Sequence, residues 1–146
     1  MNAPASATPA NLRLRLAAAA YDLLPLIGLW FVAVVLALAV TGGALDTRTL
    51  AGKLLVQAFA FAISAAYFVG SWSRGGQTIG MRAWRLRVVD QEGGTVSWPR
   101  ALLRFLVALV SLAALGAGFG WVLLDVQGRA WHDIAARTRL LRAAKP

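Results

Sequence analysis

Residues 16–41 read LAAAAYDLLPLIGLWFVAVVLALAVT, an apolar run around which the rest of the chain is organised. About 20 apolar residues suffice to cross a bilayer as an α-helix, and this run is longer. Its single charged residue is Asp22. An aspartate deep in a bilayer costs about 2.5–3.5 kcal/mol on insertion scales, so its side chain should face protein or water. We therefore predict a transmembrane helix with one buried acid.

Two neighbours of Asp22 indicate what this acid could do. Arg15 lies seven residues earlier, which places both side chains on one face of a helix. Pro25 has no N–H, so the carbonyl group of Tyr21 loses its helical partner close to the carboxylate. This combination favours binding of a cation or a proton. A kinked packing helix, with Asp22 paired to an arginine elsewhere, explains the same pattern equally well.

The composition is that of one small membrane domain. Of the 146 residues, 59% are hydrophobic and 14% are charged, whereas soluble domains carry fewer and shorter apolar runs. The net charge is +9, but the basic residues lie beside apolar runs. The expected partners are therefore the lipid bilayer and its anionic headgroups rather than nucleic acid. The sequence has no cysteine, which excludes disulfides and thiolate chemistry.

We predict an all-α integral membrane fold with two transmembrane helices, a third apolar segment and a small cytoplasmic β-hairpin. Residues 1–12 are small and polar with two prolines, which is typical of a disordered tail. A membrane domain at residues 13–142 follows. Its parts are predicted as helices at about 14–41, 54–72 and 99–124, a hairpin at 83–96 and an amphipathic tail at 126–142.

The hairpin prediction rests on alternation. Apolar and basic residues alternate from Trp84 to Val88, which is the period of a strand, and the turn sequence DQEGG follows at residues 90–94. Residues 73–100 carry more arginines than the loop at residues 42–53. By the positive-inside rule this segment lies in the cytoplasm, and the N-terminus lies there too.

The third apolar run, residues 101–124, allows two topologies. Its length permits a single crossing, but that would carry the basic tail outside, against the positive-inside rule. The sequence GAGFG at residues 116–120 instead permits two short helices that turn back, and such broken helices are tolerated where protein shelters their ends. We favour this re-entrant pair, in which residues 138–141 can add a strand to the hairpin.

The tail contains the second acid of interest. Arg129, Asp133 and Arg137 follow each other at intervals of four, which predicts a helix with a ladder of charges. His132 is the single histidine and ordinarily titrates near neutrality, which suits a pH sensor. A lone histidine is more often an interface residue, and it has no partners at metal-ligand spacing. We predict no metal site.

Catalytic motifs are missing from the sequence. It contains no nucleophile elbow, phosphate-binding loop, HExxH sequence or paired-carboxylate pattern. We therefore expect neither an enzyme nor a bound cofactor.

Four motifs, taken in order, resemble the RDD family of bacterial membrane proteins. They are GQTIGMR at 76–82, LRVVD at 86–90, ALLR at 101–104 and WHDIAART at 131–138. The arginine and the two aspartates for which the family is named correspond to Arg15, Asp22 and Asp133. The resemblance implies a multi-pass protein of the bacterial cytoplasmic membrane that transports a small ligand or exchanges a cation for a proton.

Two hypotheses follow for the function. In the first, a transporter, Asp22 binds a proton or monovalent cation near the carbonyl group of Tyr21, and Arg104 in the third apolar run tunes it. This hypothesis requires a homo-oligomer, because three short segments form too small a bundle to shelter a path. In the second, the protein is a membrane scaffold or accessory subunit, and Asp22 pairs with Arg15 or Arg104 to hold the helices together.

Overall fold

Two long helices dominate the computed structural model, which describes residues 7–143. Helix α1 (Leu12–Val40) packs against helix α2 (Leu50–Gly75), and both are long and apolar enough to cross a membrane. The two predicted helices of spanning length and apolar composition are thus confirmed. Helix α1 lies within two residues of its predicted range of 14–41, whereas α2 extends beyond 54–72 at both ends.

The N-terminal segment is ordered from Thr8 onward, so the predicted disordered tail is wrong for residues 8–12. Strand β1 (Thr8–Pro9) lies at the edge of a sheet, where a proline is tolerated. The side chain of Asn11 then caps α1 by accepting a hydrogen bond from the amide of Leu14 at 3.0 Å. Residues 1–6 of the predicted tail lie outside the described residues.

A sharp connection follows α2. Gly76 ends the helix at φ +69°, where a side chain would be strained. Thr78 then caps the short helix α3 (Ile79–Ala83), accepting a hydrogen bond from the amide of Met81. Strand β2 (Leu86–Asp90) begins three residues after α3 ends. The GQTIGMR motif is therefore a cap, a turn and a single turn of helix.

The sheet differs from the predicted hairpin. Strand β2 pairs antiparallel with β3 (Thr138–Arg142), which in turn pairs with β1, so the strand order is β1-β3-β2. The hairpin at 83–96 is wrong because residues 95–96 form no strand. Helix α4 starts at Trp98, directly after them, which leaves no length for a returning strand. The alternating pattern identified β2 correctly, and the strand predicted at residues 138–141 is its partner, whereas the returning strand at residues 95–96 does not form.

The third apolar segment is broken. Helix α4 (Trp98–Ala113) is followed by α5 (Ala117–Gly120) and a 3-10 helix (Trp121–Leu123), and the two parts meet at a bend of 108°. Gly116 at φ +81° lies in the break. A continuous helix over 99–124 is therefore wrong.

The sheet topology shows where the chain goes on either side of this break. Strands β2 and β3 are hydrogen-bonded neighbours, so the chain between them begins and ends at the same end of the helix bundle. Strand β1, before α1, lies at that end too. In a bilayer, α1 and α2 would cross and return, and α4 and α5 would enter and leave through one face. This topology favours the re-entrant arrangement over a third crossing.

The tail forms no charge ladder of Arg129, Asp133 and Arg137, so that prediction is wrong, whereas the strand predicted at residues 138–141 is confirmed by β3. Its helix α6 covers Trp131–Ala135, and Arg137 at φ +52° separates it from β3. Arg129 pairs with Asp125 at 2.9 Å rather than standing in a ladder.

The buried core lies where the sheet meets the helices. It includes residues of helices α1, α2 and α4, of strands β2 and β3 and of the loop before α4, namely Leu86, Val88, Leu140, Val69, Phe105, Ala18 and Val96. Along α1, by contrast, large apolar side chains such as Leu24 and Phe31 are each 71% exposed. This distribution is that of helices whose outer faces contact lipid.

Gly80 brings α3 against α1. A Cβ atom at this position would collide with the carbonyl oxygen of Ala18 and lie 2.9 Å from Cγ of Asp22. We expect Gly80→Ala to lower the free energy of unfolding by about 1–3 kcal/mol, because the backbones would have to separate. Gly75→Ala is the matched control, since a Cβ there meets nothing within 4 Å. Thermal unfolding of both purified variants in detergent tests this, and equal melting temperatures would contradict it.

Candidate functional site

One buried carboxylate, that of Asp133, holds two arginines from different helices. Its Oδ2 lies 2.7 Å from Nη1 of Arg15 in α1, and its Oδ1 accepts a hydrogen bond from Nη1 of Arg104 in α4. Oδ2 also accepts a hydrogen bond from the amide of Ala130 at 2.9 Å, which caps α6. The side chain of Asp133 thus joins α1, α4 and α6.

The two arginines make further contacts with the sheet end. Arg15 donates from Nε to the carbonyl oxygen of Ala10 at 3.0 Å and from Nη2 to that of Gly128 at 3.1 Å. Arg104 donates to Oγ1 of Thr138 at 2.7 Å. Its guanidinium lies 5.1 Å from the ring centroid of Trp72, within cation–π distance.

This cluster carries a net positive charge. Burial by itself would raise the pKa of Asp133, but the charges of Arg104 and Arg15 outweigh it and hold that pKa below its ordinary value. Asp133 is therefore ionised at all ordinary pH values. Two guanidinium groups share one carboxylate, and Arg15 and Arg104 are only 6% and 1% exposed, so water barely screens the remaining charge.

His132 lies in the same cluster but stays neutral. Burial and the nearby charge of Arg104 lower its pKa to about 3, and its ring packs 4.8 Å from that of Phe119. A histidine with this pKa does not change charge near neutral pH, which argues against the pH-sensing role predicted from its ordinary titration. Its Nδ1 atom is buried and finds no hydrogen-bond partner among residues 7–143.

Asp22 has entirely different partners. Its Oδ1 accepts hydrogen bonds from the hydroxyl of Tyr67 at 2.7 Å and the amide of Gly80 at 2.8 Å. Its Oδ2 accepts one from the hydroxyl of Thr78 at 2.6 Å. All three donors are neutral, and they come from α2 and from the segment between α2 and β2. Asp22 thereby fastens that segment to α1.

The two hydroxyl groups are oriented by their own acceptor bonds. The amide of Ile79 donates to the oxygen of Tyr67 and that of Met81 to the oxygen of Thr78, each at 3.2 Å. The hydroxyl hydrogens are then free to point at the carboxylate. This arrangement suits Asp22 as an acceptor.

The predicted pairing of Asp22 with Arg15 or Arg104 is wrong. Both arginines are taken by Asp133, and no ion pair within 4.0 Å involves Asp22 in the described part of the chain. Seven residues place Arg15 and Asp22 on one helix face but about 10 Å apart along its axis, so a direct contact was out of reach. Tyr21 lies apart from both clusters: its ring is half exposed and meets Trp84 edge-on.

A cavity of about 330 Å³ lies between α1, α2 and α4. Four of the six predicted site residues line it, namely Arg15, Asp22, Arg104 and His132. The fifth, Asp133, is not part of the lining but forms ion pairs with Arg15 and Arg104. Most of the remaining wall is apolar, with Leu26, Trp30, Phe68, Trp72, Phe105 and Leu109 among its residues.

A second pocket, of about 480 Å³, lies beside the sheet. It is more polar than the cavity, and its basic residues are Arg15, Arg129 and Arg139. Arg15 and Leu140 line both spaces and so form the partition between them.

Sequence reasoning missed the neutral partners of Asp22 and the hydroxyl partner of Arg104. Thr78 and Gly80 lie in the GQTIGMR motif, so the motif marked their importance without indicating what they contact. Thr138 likewise closes the WHDIAART motif, which gave no sign that its hydroxyl accepts from Arg104 across 34 residues. No group of three His, Cys, Asp or Glu residues capable of holding a metal ion occurs within residues 7–143.

The family assignment follows from a match to residues 9–137, nearly the whole chain, by the family model described as RDD family. The protein therefore belongs to the RDD family. No curated protein and no solved structure matches the chain at a significant level. The match spans Arg15, Asp22 and Asp133, so the three charged residues that correspond to the family name lie inside the matched region.

We expect Asp133→Asn to lower the free energy of unfolding by about 3–5 kcal/mol, because two buried guanidinium groups lose their counter-charge. Asp125→Asn is the control, since it breaks an ion pair at the surface, and it should cause a much smaller loss. Denaturant unfolding in detergent measures both. A similar loss in the two variants would contradict the role given to Asp133.

The pKa of His132 predicts an acid dependence of stability. Below pH 6.5 the unfolded chain binds a proton that the folded protein, with its pKa of about 3, does not. The free energy of unfolding should therefore fall between pH 6.5 and pH 3, by up to about 1.4 kcal/mol per pH unit, and stay level above this window.

His132→Gln should remove this component. Unfolding measured at several pH values from neutrality to about 5 checks it, because the contribution of Asp133, also lost with falling pH, begins only below its ordinary value of 3.8. Parallel stability profiles for the wild type and the variant would contradict the assignment.

Proposed function

We propose that this protein is a small-ligand transporter of the bacterial cytoplasmic membrane, coupled to a cation or proton through Asp22. The observation that carries this proposal is the cavity between α1, α2 and α4, which has on its wall a buried carboxylate without an ion-pair partner in the described residues. An ionisable residue inside a membrane segment is costly, and it commonly marks an ion or substrate path.

Asp22 has room for one more partner. An ionised carboxylate offers about four lone-pair positions, and three are used here. The open position is on Oδ2, which accepts only the bond from Thr78. A proton or monovalent cation placed there would compete with that hydroxyl. Because Thr78 also caps α3, occupation of Asp22 would change the hydrogen bonds of the connection between α2 and β2.

The second pocket supplies the other half of a route. The partition of Arg15 and Leu140 separates it from the cavity, so a change of side-chain position there would join the two spaces. Beyond the cavity, the space beside α1 is filled by packed side chains, since Ala33 and Ala37 are fully buried. With this partition open, a single chain would provide a path from the sheet end to the middle of the bundle. We propose that a homo-oligomer completes it.

Charge supports an orientation with the sheet end in the cytoplasm. The segment after α2, the tail and the N-terminal strand meet at that end and carry most of the arginines. The positive-inside rule then places the N-terminus in the cytoplasm, and anionic headgroups are the natural counter-charge.

A membrane scaffold or accessory subunit is the second candidate. It is favoured by the completeness of the internal contacts, because Arg15, Asp22 and Asp133 each bind at least three partners within the chain. On this hypothesis the polar residues hold the helices in register, and the cavity is a packing defect.

The test is proton flux in liposomes containing the purified protein, driven by a sodium or a potassium gradient. Wild type should give flux, and Asp22→Asn should abolish it, because an amide cannot carry the exchangeable charge. Its melting temperature should change little, since the amide keeps the size and most of the hydrogen bonds of the carboxylate. Asp46→Asn, an exposed change in the loop between α1 and α2, should leave flux intact.

Two results would contradict the transporter. One is absence of flux from correctly inserted wild type across several cations and pH values. The other is flux that survives in Asp22→Asn. A large fall in the melting temperature of Asp22→Asn, together with absence of wild-type flux, is the outcome expected of the scaffold.

A further inference from the structure

We propose that the ligand of the cavity is an amphipathic monoanion, with its anionic head against Arg104 and His132 and its apolar body between α1, α2 and α4. This inference rests on the proposed function, because it names the chemical class that the transporter would bind. It assigns to Arg104 and His132 a ligand-binding role in addition to their internal contacts.

Charge distribution selects an anion at this end of the cavity. Arg15 and Arg104 share the single carboxylate of Asp133, which leaves one buried positive charge without a direct ion-pair partner at this end of the cavity, since the carboxylate of Asp22 lies about 10 Å farther along α1. An uncompensated buried charge is unfavourable until a counter-ion joins it. A cationic head would be repelled here, and a neutral one would leave the imbalance in place.

Besides Nε1 of Trp72 and Nη1 of Arg15, which forms an ion pair with Asp133, two buried polar atoms of the residues lining the cavity lack a hydrogen-bond partner in the described part of the chain. Nε of Arg104 and Nδ1 of His132 have no hydrogen-bond partner among residues 7–143, and both residues line the cavity. Arg104 is 1% exposed and His132 is 4% exposed, so bulk water does not satisfy them. Buried polar atoms are rarely left unpaired in proteins, and each exception calls for an explanation, of which a bound ion is one. An anionic head with two oxygen atoms can accept from both groups, if the neutral imidazole carries its proton on Nδ1.

The remaining wall fits an apolar body. Its side chains include Leu26, Phe68, Trp72, Phe105 and Leu109, and the volume of about 330 Å³ lies at the lower end of the range of about 300–1,000 Å³ for small-molecule sites. A ligand with a single charged head and a compact apolar body matches this shape. Larger lipids with two chains do not.

The second pocket supports the same sign of charge. It lies on the other side of the Arg15 partition and adds Arg129 and Arg139, so an anion approaching from water meets basic side chains first. The ligand class itself has two sources: a single-chain carboxylate from the bilayer and an aromatic carboxylate from water. Both present the same head and an apolar body.

Quenching of tryptophan fluorescence measures binding, because Trp30 and Trp72 line the cavity. The wild-type protein in phosphatidylcholine nanodiscs is titrated with a bromo-substituted decanoate, representing the bilayer source, and with a bromo-naphthoate, representing the aqueous source. A bromo-decyl trimethylammonium ion is the control of opposite charge. We expect saturable quenching by at least one carboxylate, and none beyond partitioning into lipid by the cation.

Variants locate the site. Ala108→Phe fills the cavity and should abolish saturable quenching without touching the charge cluster, whereas Ala113→Phe, exposed on the same helix and outside the cavity lining, should not. Arg104→Lys keeps the positive charge but removes the Nε donor, so it should weaken carboxylate binding about tenfold, as loss of one charge-assisted hydrogen bond would. The decanoate and naphthoate arms show which source the site prefers.

Equal quenching by the carboxylates and the cation would overturn the proposal, and so would quenching that Ala108→Phe leaves unchanged. The outcome is separable from that of the flux experiment. Flux that depends on Asp22, without carboxylate binding, would reject the ligand class and leave the transporter standing. Saturable carboxylate binding without flux would keep the anion site and reject transport.

Discussion

The rest of the structure depends on one shared carboxylate, that of Asp133. It binds Arg15 near the start of the first spanning helix and Arg104 near the start of the re-entrant segment, and it caps the short helix of the tail. Each of these partners is costly to bury alone. The cluster is therefore stable only when the N-terminal helix, the third apolar segment and the tail are all in place. This mutual requirement explains how a small membrane domain holds together residues more than 100 positions apart.

That requirement also constrains the path of the chain in a membrane. Arg15 and Asp133 must meet, and β3, three residues after α6, is hydrogen-bonded to both β1 and β2. The tail therefore returns to the end at which α1 starts, and the third apolar segment has to bend back. The 108° break at residues 114–116 satisfies this requirement, with Gly116 supplying a backbone conformation that side chains disfavour. Positive charge concentrated at this end is consistent with the same arrangement.

Features that depend on local pattern could be predicted from the sequence, whereas most long-range side-chain contacts could not. Run length identified α1 and α2, alternation identified β2, and the cost of burying a charge singled out Asp22. The partner of β2 is 48 or more residues away; the sequence indicated residues 138–141 as a strand that could join it, but it wrongly gave the adjacent place to residues 95–96. The same holds for Arg15, whose nearest acid in sequence is Asp22 but whose partner is Asp133. Spacing along a helix shows which residues share a face, and not which of them touch.

Asp22 and Asp133, which correspond to the two aspartates of the family name, are stabilised in opposite ways. Asp133 is neutralised by two guanidinium groups and so gives a positive end to the cavity, whereas Asp22 is held by three neutral donors and gives it a negative wall. A cavity polarised in this way would orient an amphipathic anion with its head toward the sheet. The anion and the charge of Asp22 would then repel each other through a medium that screens weakly. A proton or cation at Asp22 relieves that repulsion, so the two ligands would bind with positive coupling, and each would favour the other by the same factor. This coupling between the two ligands would depend on the separation of the two carboxylates. Asp133 is paired with arginines, whereas Asp22 has only neutral donors and could take up a proton or cation.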